Sequence, residues 1–255
     1  MRILAVGDVI GKPGRQALNT FLPQIKQQYQ VDLAIVNAEN SAHGIGVTPE
    51  TADELFGAGA DVLTSGNHVW AHKTILPLLD SEMPLIRPLN YPPGVPGKGY
   101  VIRNGVLVVN LIGRVFMDNY DDPFRAMDNL LANLADKPKV IIVDFHAEAT
   151  SEKMALGRYL DGRISALLGT HTHVGTIDAR ILQGGTAYVT DIGLTGPIES
   201  VIGDDPENVL KRFLTQMPHR LSAGSGKSVF NAILVTIDAA TGKATAIERI
   251  QRETE

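Results

Sequence analysis

Apolar residues along this chain come in short, nearly unbroken runs, and each run ends in polar residues. The runs are RILAVGD, DLAIVNAEN, DVLTSGNH, VIIVDFHAE and ISALLGTHTH. Continuous apolarity, rather than alternation, marks strands covered on both faces. Helical spacing fills the gaps between them. Arg15 to Tyr29 predicts a helix, with Pro13 tolerated near its start and Pro23 placed to kink it. Residues 48–58 predict a second, with Thr48 as N-cap and Pro49 at the first helical position. Residues 71–80 and 122–135 predict two more. The Pro- and Gly-rich stretch 86–99 reads as a loop. YVIRNGVLVVNL then predicts a β-hairpin turning at Asn104-Gly105. A second hairpin, across Ala239–Gly242, closes the chain, and the final QRETE is expected to fray. Strands alternating with helices, plus hairpins, predict a mixed α/β core, with two packed sheets as one arrangement.

Composition narrows the function classes. With 255 residues, 44% hydrophobic and 20% charged, the chain reads as an ordinary globular protein large enough for one large domain or two small ones. The formal net charge is −5 and no Lys/Arg cluster appears, which argues against long nucleic acid as a partner. A small anionic ligand stays compatible, because local charge can oppose net charge. The absence of cysteine removes disulfides, thiolate metal sites and cysteine nucleophiles. It fits a cytoplasmic location. The opening MRILAVGDVIGK lacks the long apolar segment of a signal peptide. No stretch approaches the roughly 20 apolar residues that span a bilayer, so no membrane association is expected.

Where the strands end is more informative. Asp8 follows the first, Glu39 and Asn40 the second, Asn67 and His68 the third, His146 the fourth, and His171 and His173 the fifth. Ligands of open α/β sheets bind outside the carboxyl ends of the strands. A lone Asp after a strand is ordinarily a turn or cap residue, and a lone His a hydrogen-bonded core residue. Five strands all ending in Asp, Glu, Asn or His is not an ordinary coincidence. Nitrogen and oxygen donors of this mix suit Mn²⁺, Fe or Zn²⁺. If the fifth run stays extended, residues i and i+2 face one side and both imidazoles reach one site.

The ordered series GD, EN, GNH, FH and THTH resembles the calcineurin-like metallophosphoesterases. It is most similar to their YmdB-like branch of bacterial phosphodiesterases acting on 2′,3′-cyclic nucleotides. The blocks GDVIGKPGR, NAENSAHG, GNHVW, DFHAEATSEK, GTHTHV and TDIGLTGP carry it across the whole chain. Three positions depart from the wider superfamily pattern. Ile10 replaces a histidine after Asp8, Glu39-Asn40 replaces Gly-Asp, and Val69 stands where an acidic residue is frequent. The resemblance implies a single metallophosphoesterase domain over 1–255. Its architecture would be a four-layer α/β/β/α sandwich, two mixed sheets flanked by helices.

It also implies two divalent metal ions, Fe or Mn first, with Zn, Co or Ni as alternatives. Asp8, Glu39, Asn40 and His173 would hold one ion. Glu39, Asn67, His146 and His171 would hold the other, with Glu39 bridging. A hydroxide activated by the metal pair would attack a small phosphodiester, and His68 would act as the acid for the leaving oxygen. Asp144 shares a strand face with His146 and is a candidate for orienting a histidine. Lys12 and His43 are candidates for substrate contact, and so, less specifically, is Arg15. Glu148 and Glu152 are expected to cap a helix or face solvent. Trp70 is expected to pack, and His72 and His219 to lie at the surface. The alternatives are a phosphomonoesterase or other phosphoesterase, and a regulatory protein that binds a nucleotide through the metals. The apolar closing hairpin offers a sheet edge for a homo-oligomer.

Overall fold

A computed structural model describes all of residues 1–255. The chain opens with β1 (Arg2–Val6) and β2 (Asp8–Val9), passes through α1 (Gly11–Tyr29) to β3 (Leu33–Asn37), and through α2 (Pro49–Gly57) to β4 (Val62–Thr64). A 3-10 turn at Lys73–Ile75 leads into the short α3 (Leu76–Leu79). The hairpin β5 (Tyr100–Arg103) and β6 (Val106–Ile112) follows, then α4 (Pro123–Asn133), β7 (Val140–His146), α5 (Thr150–Tyr159) and β8 (Ala166–Thr170). Next come β9 (Arg180–Ile181), β10 (Ala187–Val189), β11 (Leu194–Pro197) and α6 (Pro206–Thr215). The chain closes on the hairpin β12 (Ser228–Ile237) and β13 (Ala244–Glu253).

These strands form two mixed sheets. One runs β2-β11-β12-β1-β3-β4, with β13 on the other side of β12; the second runs β5-β6-β7-β8-β10-β9. β1, β3 and β4 are mutually parallel, as are β6, β7 and β8. Side-chain alternation explains the unbroken apolar runs. In β1, Leu4 and Val6 face α1 and α2, while Ile3 and Ala5 face the second sheet. In β7, Ile142 faces the first sheet, while Ile141, Val143 and Phe145 face α4 and α5. Three apolar layers therefore separate four layers of structure, the expected α/β/β/α sandwich. Both faces of each inner strand are dry, so neither face has a polar stripe.

Several elements differ from the sequence reading. The first helix begins at Gly11, whose φ of +52° suits glycine, and continues through Pro23. Residues 71–80 form a 3-10 turn and one helical turn, not a regular helix. The C-terminal QRETE does not fray at its start: Gln251, Arg252 and Glu253 pair with Asn231, Phe230 and Val229. That strand is polar because it lies at the sheet's edge, and its charges there discourage edge-to-edge pairing rather than offering an apolar seam. Thr48 caps α2 and the Asn104-Gly105 turn has both φ angles positive, as expected. No helix is long and apolar enough to cross a membrane.

Candidate metal centre

The parallel strands of both sheets end at one edge, and the polar residues that follow them meet there. Asp8 lies at 0% exposure, Glu39 at 1% and His146 at 0%. Close approach of backbone makes this density possible. A Cβ on Gly7 would land on the carbonyl of Gly193, and one on Gly66 would land on the His146 ring. The glycine of GNH is thus there to let β4's exit pass beneath an imidazole.

Each of three imidazoles has its outer nitrogen engaged by protein. At His146 the partner of Nδ1 is Thr170 Oγ1, 3.0 Å away. That hydroxyl gives its only hydrogen to Asp144 Oδ1 at 2.7 Å, so it must accept from His146. Nδ1 therefore carries the proton, and Nε2 is bare. It faces Asn67 Oδ1 at 3.1 Å and Glu39 Oε1 at 3.7 Å. His171 points Nε2 at Glu148 Oε2, 3.1 Å away, which leaves Nδ1 bare and 3.1 Å from His146 Nε2. His173 donates from Nδ1 to the carbonyl of Ile202 at 2.5 Å, leaving Nε2 bare, 3.1 Å from the Asn40 amide nitrogen and 3.8 Å from Asp8 Oδ1. Outer partners fixing the tautomer in this way are the usual support of metal-binding histidines.

The carboxylates have the complementary property. Asp8 Oδ2 accepts from the His171 backbone N–H at 3.2 Å, and Glu39 Oε1 from that of His68 at 2.6 Å. Asp8 Oδ1 and Glu39 Oε2 are buried with no hydrogen-bond partner. Burial, with Asp191 adding negative charge, pushes the Asp8 carboxyl up to about 6. Burial raises Glu39 well above the ordinary range, reinforced by the charges of Asp8 and Asp144. Burial drives His146 well below its ordinary value and His171 down to about 4, so both rings are neutral near pH 7. Bare imidazole nitrogens facing each other beside orphaned carboxylate oxygens form a site short of positive charge. A divalent cation supplies that charge, and the donor chemistry fits one. As they stand, the donors press on one another, and no three His, Asp or Glu groups are set to hold one ion.

The sequence-predicted residues fare unevenly. Asp8, Glu39, Asn40, Asn67, His68, His146, His171 and His173 all come together. Asn40 directs its amide nitrogen to His173 and its oxygen to His68 Nδ1 at 3.2 Å, so ligation through oxygen needs the amide turned over. His171 and His173 reach the site by a different route from the extended one expected. β8 ends at Thr170, and the two residues have φ of +97° and +65°. Side chains at i and i+2 converge here because the chain turns, not because it is extended. Arg15 is not free for phosphate: it pairs with Glu54 at 2.5 Å and reaches the Ser41 carbonyl. Lys12 and His43 are exposed. Trp70 packs on Tyr91 with ring centroids 4.4 Å apart. Glu152 neither caps nor faces solvent; it is buried and accepts from the backbone N–H of Arg114 and Val115. His72 is half-buried and binds the Ile45 carbonyl.

A bracing pair has no counterpart among the sequence expectations. Lys153 and Asp191 are both fully buried, 2.8 Å apart. Lys153 Nζ also donates to the Thr170 carbonyl at 2.7 Å, and Asp191 accepts from the Thr172 N–H and hydroxyl. The pair grips the turn carrying His171 and His173 from both sides. Its only sequence signal is a lysine inside TSEK and an aspartate inside TDIG.

Known proteins resemble this chain along nearly its whole length. The YmdB-like protein family matches residues 4–250. A relative from Bacillus subtilis (strain 168), named 2′,3′-cyclic-nucleotide 2′-phosphodiesterase, is 49% identical over 98% of this chain and 96% of its own. Among solved structures, a hypothetical protein from Thermus thermophilus superposes with a TM-score of 0.94 at 47% identity, covering 100% of both chains. A structure described as a novel phosphatase from Mycoplasma pneumoniae gives 0.94 at 34% identity, over 99% of this chain and 93% of that one.

Proposed function

The chain belongs to the YmdB-like family, and on that premise we propose that it is a metal-dependent phosphodiesterase hydrolysing 2′,3′-cyclic nucleotides. The observation that carries this reading is the inward-facing set of three bare imidazole nitrogens and two unpartnered carboxylate oxygens. Asp8, Glu39, Asn40 and His173 would hold one ion, and Glu39, Asn67, His146 and His171 a second. Fe or Mn suits this nitrogen and oxygen set, and it holds no thiolate to select a softer ion. Two such ions, when bound, would lower the pKa of water toward ~7 and neutralise charge on the phosphoryl oxygens.

The chain's own groups do the rest. Glu39 lies between both halves of the donor set, so its two oxygens can serve both. Among the imidazoles gathered at the site His68 has the most access to solvent, its side chain 37% exposed against 23% for His171. Its Nδ1 rests 3.2 Å from Glu39 Oε1 and from Asn40 Oδ1, which leaves Nε2 to meet a leaving oxygen. Burial lowers its pKa, which opposes holding a proton. A phosphodiester anion arriving beside the ring reverses that effect, so His68 would be protonated when substrate is present. Water adds to phosphorus and gives up a proton to solvent, one P–O ester bond of the cyclic phosphate breaks, and the departing ribose oxygen takes its proton from His68, which regains one from solvent before the next turnover. Asp144 acts at one remove: it accepts from Thr170 and Thr64 and so sets the His146 tautomer.

Hydrolysis of 2′,3′-cyclic AMP by the purified chain tests this, with added Mn²⁺, with chelator, and with Glu39→Gln as control. Turnover that requires both metal and Glu39 is expected. Bound metal without turnover would move the assignment to a phosphomonoester or to nucleotide binding without hydrolysis.

A further inference from the structure

Residues 198–224 leave the sandwich and cover one side of the metal centre. Ile202 supplies the carbonyl that fixes His173, so the two are joined directly. Behind Ile202, beneath α6, is a cavity of about 450 Å³. That volume lies within the range of small-molecule sites, about 300–1,000 Å³. Val209 and Phe213 form apolar walls, and Asp204, Arg212 and Gln216 bring polar groups to the same space. Asp204 is half-buried and lies two residues along from Ile202, so the polar side of the cavity begins beside the segment that fixes His173. Phe213 is 69% exposed although it faces this cavity, and Ile202 and Met217 are exposed too. Apolar area left open around a few polar groups marks a binding surface.

We propose that this cavity receives the nucleobase of the substrate, a proposal that rests on the diesterase reading and deepens it. A base lies only a sugar's width from a 2′,3′-cyclic phosphate, and this cavity lies one backbone segment from the His173 ring. Phe213 offers a ring face for stacking. Asp204 accepts from base N–H groups, Arg212 donates to ring nitrogens and carbonyls, and Gln216 can do either. The position of these groups on a surface excursion rather than on strand ends separates recognition from chemistry.

The test compares two esters with the metal-loaded full chain: 2′,3′-cyclic AMP and the base-free methyl riboside 2′,3′-cyclic phosphate. The variants are Phe213→Ser, Arg212→Ala and Asp204→Asn. Base stacking of ~1–3 kcal/mol corresponds to a fall of ~5–150-fold in kcat/KM for cyclic AMP with Phe213→Ser. The fall should lie in KM, and the base-free ester should be hydrolysed as by the unaltered chain. Binding of adenosine alone, followed by calorimetry, should weaken in the same variants. Equal losses on both esters, or none on either, would overturn the base pocket. So would a Phe213→Ser chain that keeps its base preference but changes from dimer to monomer, since the face would then join two copies. An unaltered chain that hydrolyses neither ester yet binds adenosine through Phe213 would retain the pocket and remove the diesterase reading.

Discussion

The floor of the metal centre and the excursion over residues 198–224 are built in opposite ways. On the floor, donors hang from strand ends, Asp8, Glu39 and His146 are sealed from water, and each of three imidazoles has an outer partner: Thr170 for His146, Glu148 for His171, Ile202 for His173. Charge is concentrated there at the expense of stability. The excursion is the reverse. Only Val209 of α6 is buried; Leu210 and Leu214 are exposed, and Phe213 is exposed at the cavity. It adds little to the core and can change without unfolding the sandwich. A rigid, electrostatically strained floor suits chemistry, which needs fixed donors. A loosely attached wall suits selection among substrates.

Glu39→Gln should give the largest effect, and in opposite directions for activity and stability. Turnover should be abolished because the group shared by both halves of the donor set is gone. The metal-free chain should melt higher than the unaltered one, because Gln removes a buried carboxylate with an unpartnered oxygen. Turnover assays and metal-free thermal melts check both, and a lower melting temperature would show that the floor is not strained.

His68→Ala comes next. Loss of acid catalysis is worth ~10²–10⁴-fold in rate, with metal content unchanged. The loss should be greatest for substrates whose leaving groups are poor. Equal losses for nitrophenyl and ribose esters would assign His68 to positioning instead.

Lys153→Met attacks the floor from behind. Breaking one partner of a buried pair costs ~3–5 kcal/mol. The double variant Lys153→Met, Asp191→Leu should regain stability in urea unfolding, since well-packed apolar replacements of such pairs are commonly neutral. It should not regain metal affinity, because the Thr170 carbonyl and the Thr172 hydroxyl would still lack their partners. Full recovery of metal binding would show that the pair only holds the fold together.

The floor is legible in the sequence and the wall is not, for physical reasons. A donor at a strand end interrupts an apolar run, and five interruptions of one chemical kind make a pattern. The same logic locates His171 and His173 while misjudging how they converge, since positive φ at non-glycine residues has no compositional mark. α5 gives no helical signal because its buried face includes Glu152 and Lys153, which no apolar periodicity reveals. α6 does carry helical signals, with Asp205 as N-cap, Pro206 at its first position and Val209, Leu210, Phe213 and Leu214 at helical spacing, but most of that apolar face is exposed rather than packed on the core. The end of β13 suggests fraying because an edge strand carries charge where an inner strand carries Val or Ile.

The smallest effect expected is on the wall itself. Leu214 is 82% exposed and does not line the cavity beneath α6. Surface substitutions away from caps, cavities and networks usually change stability by no more than ~0.5 kcal/mol. Leu214→Ser should therefore leave the urea midpoint and the turnover of 2′,3′-cyclic AMP nearly unchanged. The informative control is protein concentration. If this face is free, the melting temperature of the unaltered chain should not depend on concentration. If a second copy covers it, the melting temperature should rise with concentration, and Leu214→Ser should abolish that dependence. The second result would place α6 in an interface and make the wall as fixed as the floor, removing the division of labour between them.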